Sequence, residues 1–452
     1  VTTRGKRAFS KLAARTGYAL YKLPVFQNLE WLELTGYWTG QERETWRLKR
    51  LSLIIDFAWT HVPFYRVFWG DHGVVRRPLR NLDDLQEYPI LTKDVFRTNY
   101  RSLQPDNVGQ IRHQSKHTGG TTGQPVHYQQ DIEQWAFMQA FQLYGWSLAG
   151  YEFGDPVGVI AGGSLLPRAM TLQGIIRNFI ERKCFLFGVH MEEKLAVDYH
   201  RKLTAHRTEF LYGYPSILFI FARFLADAGL RIPTLKAVIT TGECLQDRYR
   251  AGIESALGCP VFNNLGCNDG GYESFECNRH QGLHYNDLQS ILEVSPSAPA
   301  PSGELLITNL WNRSTPFVRY ANGDLVTLGP ASCPCGSSFP LIASVEGRTA
   351  DILSFSNGRS LSGPALTLIF APMNIDGWQI VKTAPDTLEV RVCTRDVLRP
   401  EYTTHITDVL RHHVGEGVTI TIKRVDELAI TAGGKRKPIW NDVPTEEAPR
   451  EG

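Results

Sequence analysis

The sequence predicts an α/β protein, a large α/β domain followed by a small α+β domain, and two stretches of texture carry that prediction. Short β-branched or apolar runs at Val157–Ile160, Ala237–Thr241, Val261–Asn264 and Glu304–Thr308 are separated by glycine turns and by helix-like segments, Ile132–Leu148 and Pro215–Ala228. Strands alternating with helices are the pattern of an α/β domain. After Gly347, polar glycine-bearing segments give way to a strand-like Thr387–Val392, a helix-like Tyr402–His413 and a strand-like Val418–Val425. These read as a separate small domain beyond a hinge near 347–351.

Three parts follow in order. Residues 1–105 form a helical amino-terminal part of the large domain, because charged and aromatic positions recur at helical spacing through Trp46–Trp59 and Tyr88-Pro89-Ile90-Leu91 leads into another helix. Residues 106–347 form its α/β core, and 348–452 the small carboxy-terminal domain, with a Pro- and Glu-rich tail after Trp440 expected to fray. A length of 452 residues is ample for this.

Hydrophobic residues at 42% and charged residues at 21% are ordinary for a globular chain and argue against disorder. The formal net charge of +2 leaves no global basic field to hold nucleic acid, so an anionic ligand must be held locally. No apolar run reaches a membrane span; even Leu211–Phe224 is interrupted by Arg223. Residues 1–22 carry Arg4, Lys6, Arg7, Lys11, Arg15 and Lys22 without an acid, and Lys11 and Arg15 break up any signal-peptide block. That stretch reads as a helix packed on its own protein, or as a basic amphipathic helix on an anionic membrane. Eight cysteines without a secretory signal read as thiols or metal ligands, and the location as cytoplasmic.

The most informative stretch is Thr118-Gly119-Gly120-Thr121-Thr122-Gly123-Gln124-Pro125. Its glycines let backbone amides approach an anion and its hydroxyls add donors for phosphate oxygens. It lacks the lysine of a P-loop. Alone it is equally a mobile turn, but further motifs stand behind it in order: Thr240-Thr241-Gly242-Glu243-Cys244-Leu245, Asn263-Asn264-Leu265-Gly266-Cys267-Asn268-Asp269-Gly270-Gly271, Arg319-Tyr320-Ala321-Asn322-Gly323-Asp324, Gly347-Arg348 and Gly433-Gly434-Lys435. This ordered set resembles the adenylate-forming (acyl-CoA synthetase) superfamily. His61-Val62-Pro63-Phe64-Tyr65, Pro89-Ile90-Leu91-Thr92-Lys93 and Gly213-Tyr214-Pro215-Ser216 are similar to its phenylacetate-coenzyme A ligase-like branch, which includes relatives from capsular polysaccharide pathways.

The resemblance implies an ATP- and Mg2+-dependent ligase that forms an acyl-adenylate and passes the acyl group to coenzyme A, or to an amine or hydroxyl acceptor. It implies that Thr118, Gly119, Gly120, Thr121, Thr122 and Gly123 hold the triphosphate, that Gly242, Glu243 and Asn264 meet the nucleotide, and that Asp324 meets the ribose. Lys435, Arg348 and Asp269 become the catalytic candidates, with Asp269 in the place of a magnesium-supporting glutamate. Tyr144, Tyr214 and Gly266 become candidates for the acid pocket. The bland readings are a solvated basic turn for Lys435, beside Arg436 and Lys437, and a surface ion pair for Asp324 and Arg348. Leu265, Asn268, Asp269, Gln124 and Ala350 depart from the family pattern, and together they allow a second reading: a catalytically weak homologue that binds a nucleotide or serves as a scaffold in a biosynthetic pathway.

A second constellation is Cys277, His284, Cys333 and Cys335. Three thiols and an imidazole make a common closed tetrahedral zinc set, and members of the resembling branch carry a similar one. The expectation is structural Zn2+, with His280 competing for the place of His284, against the reading of reduced thiols and an ordinary histidine. His113, His117 and His127 flank the phosphate loop and read mostly as surface or packing residues. Trp135, Phe137, Phe141, Tyr144 and Trp146 read as a core stripe more than an acid pocket. The expected partners are a small carboxylic acid and its acceptor, with no nucleic acid and no transmembrane segment; a homodimer is left open.

Overall fold

The computed structural model describes residues 3–117, 126–162, 165–166, 171–188, 191–295, 302–330, 332–348, 353–361, 369–370, 373–431 and 435–443. Five helices come first: α1 (Thr3–Leu20), α2 (Val25–Thr35), α3 (Gly40–His61), α4 (Pro63–Asp71) and α5 (Lys93–Thr98). Their starts follow local chemistry. Thr39 and Glu42 form a reciprocal capping box on α3, Pro63 occupies the first turn of α4 where no amide donor is needed, and the Thr92 side chain caps α5.

The core begins with the hairpin β1 (His113–His117) and β2 (His127–Asp131), followed by α6 (Ile132–Leu148), β3 (Val157–Ala161), α7 (Leu172–Ile180), β4 (Lys183–Phe187), α8 (Glu193–His206), β5 (Phe210–Gly213), α9 (Pro215–Asp227), β6 (Ala237–Thr240) and α10 (Asp247–Leu257). A run of strands follows: β7 (Val261–Cys267), β8 (Tyr272–Glu276), β9 (Leu283–Tyr285), β10 (Ser290–Val294), β11 (Ser302–Asn309), β12 (Tyr320–Leu328) and β13 (Leu341–Arg348). Eleven strands join in one sheet, in the order β10-β11-β12-β13-β9-β8-β7-β6-β5-β3-β4. From β4 to β7 neighbours are parallel; from β7 onward they are antiparallel. The fully buried β3, β5 and β6 explain why their sequences are continuous apolar runs rather than alternating ones.

The aromatic residues of α6 divide as helical spacing requires. Phe137, Phe141 and Trp146 are buried in the main core, whereas Trp135 and Tyr144 are partly covered at its margin. Gly145 is where α6 closes on the sheet: a Cβ there would fall inside the Phe275 ring of β8. The helices α3–α5 pack on the antiparallel half. Phe96 stacks on Phe317 at 5.1 Å, and the backbone of Leu91 pairs with Arg319 and Ala321, fixing the start of β12. Arg43 of α3 is buried in an ion pair with Asp287, with Arg47 at 3.9 Å from the same carboxylate.

After β14 (Leu353–Ser354) and β15 (Ser360–Leu361), the small domain forms a four-stranded sheet from β16 (Gly377–Ala384), β17 (Thr387–Cys393), β18 (Thr419–Val425) and β19 (Ile439–Asn441), covered by α11 (Pro400–Val414). Its own core includes Trp378, Ile380, Val390, Ile406 and Leu410. It docks on the end of α9: Arg223 pairs with Asp376, Arg395 with Asp227 at 2.7 Å, and the Arg395 guanidinium lies 4.3 Å over Phe224.

Because the Gly145 contact leaves no space, Gly145→Ala is expected to lower stability by about 1–3 kcal/mol, the usual cost of overpacking. Urea unfolding measures it, and an unchanged midpoint contradicts the close approach of α6 to β8.

Candidate active site

The parallel strands end on one edge, and the loops that leave them assemble the site. Tyr214 follows β5, Thr241-Gly242-Glu243 follows β6, and Gly266 and Cys267 end β7. Gly242 has a positive φ of 78°, and a Cβ there would stand 2.8 Å from the Tyr214 ring, so both conformation and space require glycine. Glu243 links the two domains. Its carboxylate accepts a hydrogen bond from the Ser216 amide at 3.1 Å and another from the Arg436 amide, across the domain boundary, at 2.7 Å. Burial raises its pKa above the ordinary carboxyl value in spite of these donors.

That link sets Lys435 into the site. Its amide hydrogen goes to Thr431 Oγ1 at 3.1 Å, its Cε lies 3.3 Å from where a Gly242 Cβ would be, and its ammonium stands 5.8 Å over the Tyr214 ring. Thus Gly242, Glu243, Tyr214 and Lys435, distant in sequence, meet at one point. The preceding glycines 433 and 434 lie outside the described residues, as do Thr118, Gly119, Gly120, Thr121, Thr122 and Gly123. On β1 and β2, the strands that flank the latter stretch, His117 and His127 face each other at 6.0 Å, and His113 Nδ1 meets the Ile111 carbonyl at 2.7 Å.

Asp269 and Asp324 are both buried. Asp269 accepts from the Tyr320 hydroxyl at 3.0 Å on one oxygen and from the Cys267 thiol at 2.9 Å on the other. Asp324 accepts from the Asn322 amide at 2.6 Å and the Tyr272 hydroxyl at 3.3 Å, and its Cα is in cross-strand register with that of Arg348. Asn264 is spent within the sheet, donating to the Ser274 carbonyl at 2.9 Å. Tyr144 is drawn elsewhere: its ring packs on Phe141 and Phe339 beside Cys335.

Sequence reasoning missed Glu273. It stands on β8 directly across from Gly266, in the space that the missing Cβ leaves, and its Oε2 is covered with no hydrogen-bond partner among the described residues. Burial raises its pKa to about 8, and its charge is felt by Tyr212, which bonds Thr241. Glu273 is one of two glutamates on β8, beside Ser274, and nothing in that local pattern singled it out.

The cysteine constellation converges. One ligand atom from each of Cys277, His284, Cys333 and Cys335 lies within 4.8 Å of every other. The sulfurs of Cys277 and Cys333 are 3.8 Å apart, and Cys335 Sγ is 3.3 Å from His284 Nε2. His284 Nδ1 donates to the Phe339 carbonyl at 2.7 Å, which leaves Nε2 with its lone pair facing the thiols, and burial lowers its pKa toward the neutral form. His280 is directed away, to Glu276 at 3.2 Å.

No family model matches the sequence. The phenylacetate-coenzyme A ligase of Thermus thermophilus is 24% identical over 401 residues, covering 81% of this chain and 84% of that protein. Protein CapK of Staphylococcus aureus is 22% identical over 373 residues, covering 80% and 81%. Among solved structures, a 2-hydroxyisobutyryl-CoA ligase in its postadenylation state matches with a TM-score of 0.70 at 21% identity, covering 89% of this chain and 90% of that one. The same ligase in its thioesterification state scores 0.56.

Glu273 sets a testable pH dependence. Its pKa is raised on folding, so between the ordinary carboxyl value and about 8 the folded state holds a proton that the unfolded state has lost, and stability falls as pH rises through that window. Glu273→Gln is expected to remove this part of the fall, measured as the difference in unfolding free energy between pH 5 and pH 9; an identical slope in both proteins contradicts the buried neutral carboxyl.

Proposed function

We propose that the chain is an adenylate-forming ligase of the phenylacetate-coenzyme A ligase-like branch, which activates a small carboxylic acid with ATP and transfers the acyl group to coenzyme A; its likeness to two such proteins in sequence and to a third in fold supports the reading. One observation carries the reading: Lys435 arrives at Gly242 and Tyr214 beside a backbone amide held by Glu243. In the first step a carboxylate oxygen of the acid bonds to the α-phosphorus of ATP and the bond to pyrophosphate breaks. Two anions must meet, so the requirement is charge neutralisation and alignment.

Lys435 supplies a positive charge at the α-phosphate and carboxylate. The loop of Thr118, Thr121 and Thr122 donates to the outer phosphates, Asp324 accepts from the ribose, and Arg348 stands across from it. Asp269 offers oxygen to a magnesium ion, whose charge would offset that of the triphosphate. Each Asp269 oxygen has one protein donor and retains a lone pair for that purpose. Tyr214, Gly266 and Glu273 wall the acid. Glu273, whose raised pKa favours the neutral form and whose Oε2 has no hydrogen-bond partner among the described residues, favours an acid with an amino or hydroxyl substituent over a purely apolar one. Coenzyme A sulfur then attacks the acyl carbon and AMP leaves.

Cys277, His284, Cys333 and Cys335 suit structural Zn2+, since three soft sulfurs and one oriented imidazole fill a tetrahedron and leave no position open for substrate. The ion would tie the segment after β8 to the one before β13. The departures at Leu265, Asn268, Asp269 and Ala350 favour a second reading, a weak homologue that binds nucleotide as a scaffold.

Acid-dependent exchange of pyrophosphate into ATP separates the two readings. Lys435→Ala is expected to reduce exchange by about 100-fold or more while ATP binding persists; an undiminished rate removes the lysine from the chemistry. Metal analysis of purified protein is expected to give one zinc per chain, lost together with thermal stability in a Cys333→Ser/Cys335→Ser variant. Protein with intact thiols and no zinc contradicts the metal reading.

A further inference from the structure

We infer that α1 and α7 together form a face that docks on the surface of an anionic phospholipid bilayer. The observation is an inversion of the usual pattern on two touching helices. In α1 the inward side is small or polar: Ser10 and Ala14 are buried, and Ser10 lies against Gly154. The apolar residues Phe9, Leu12 and Leu20 occupy the opposite side, with Phe9 60% and Leu12 67% exposed. The helix is held that way round by Arg7, which pairs with Asp155 and with Glu152 at 3.1 Å, and by Tyr18, which donates to Glu181 at 3.2 Å.

In α7 the apolar residues Leu172, Ile175, Ile176 and Phe179 fall at i, i+3, i+4 and i+7, one continuous stripe, and it too points to solvent, with Leu172 73% and Phe179 75% exposed. Arg177 and Lys183, at 3.1 and 2.7 Å from the buried Glu181, fix the end of the helix.

Charge selects the occupant. The sequence has no Asp or Glu from residue 1 to 29 and none from 156 to 180, whereas these stretches hold Arg4, Lys6, Lys11, Lys22 and Arg168 besides Arg7, Arg15 and Arg177, which pair with acids outside them. Lys6 and Lys11 are exposed on either flank of the α1 stripe. An apolar stripe bordered by lysines is the design of an interfacial helix, whose side chains enter the acyl boundary while the cations meet lipid phosphates. A second copy of the chain is a poorer fit, because a two-fold contact would set these cations against themselves. No described helix is long and apolar enough to cross a membrane, so the association is peripheral.

The test is co-sedimentation of the full chain with vesicles of phosphatidylcholine alone and of phosphatidylcholine containing about one-third phosphatidylglycerol. Binding to the anionic vesicles only, weakened by salt, is expected. Phe9→Ser/Leu12→Ser and Ile176→Ser/Phe179→Ser should each lower the bound fraction by about tenfold or more, with acid-dependent exchange in solution unchanged. Independently of those variants, the emission of a Phe9→Trp protein, taken as the difference from the parent with its ten tryptophans, should shift to the blue with anionic vesicles and be quenched by brominated lipid. Equal binding to neutral vesicles, full binding by both serine variants, fluorescence of the Phe9→Trp protein that ignores the vesicles, or a concentration-dependent dimer in place of vesicle binding each overturns the proposal.

Discussion

A single carboxylate sets the geometry on which the site depends. Glu243 accepts one amide hydrogen from the start of α9 and one from the residue after Lys435, so it joins the large domain to the Lys435 segment of the small one. Amides hold position better than a flexible side chain does. The nearby ion pairs support the same docking from the end of α9; the one at Asp227 lies at the rim, where screening limits its worth, whereas Asp376 is buried. Glu243 is half-buried, and two backbone amides hold its carboxylate. A lysine almost two hundred positions further along the chain is thereby delivered to Tyr214 and Gly242, and a glycine with positive φ leaves space for it.

The sheet supplies the rest of the order. Its parallel half ends in the loops that carry Tyr214, Gly242 and Glu243, and its antiparallel half carries Asp269 and Asp324 in a bonded network with Tyr320, Cys267, Asn322 and Tyr272. Leu91, pairing with both sides of Tyr320, shows what the amino-terminal helices contribute: they hold the strand that holds Asp269. The cysteine cluster acts at a distance from the chemistry, where β9 meets β13.

Much of this was legible because local pattern and tertiary role agreed. Ile132–Leu148 is α6 to the residue, and the buried runs of β3 and β6 announced themselves by hydrophobicity, whereas β5 was not marked out from the apolar stretch that continues into α9. Cys333-Pro334-Cys335 and a distant Cys277 and His284 implied convergence, with His280 as the competitor; the pairing of β9 with β13 and β8 is what sets His284 among the thiols. Glu273 was not legible: its meaning lies in a missing Cβ on the neighbouring strand and in the absence of a cation among the described residues, and neither is local. Tyr144 was selected as a pocket aromatic, but helical phase sends its ring to Phe339. The inverted faces of α1 and α7 were half visible, since amphipathicity fixes that a helix has two sides and not which one meets the protein.

The central claim is that these parts join an acid to AMP. The direct measurement is mass spectrometry of the protein incubated with ATP, magnesium and a mixed pool of carboxylic acids, with and without amino or hydroxyl substituents. The account predicts a bound mixed anhydride of AMP with one member of the pool, enriched for a substituted acid, together with released pyrophosphate. Protein that binds ATP but yields neither adenylate nor pyrophosphate with any acid contradicts it.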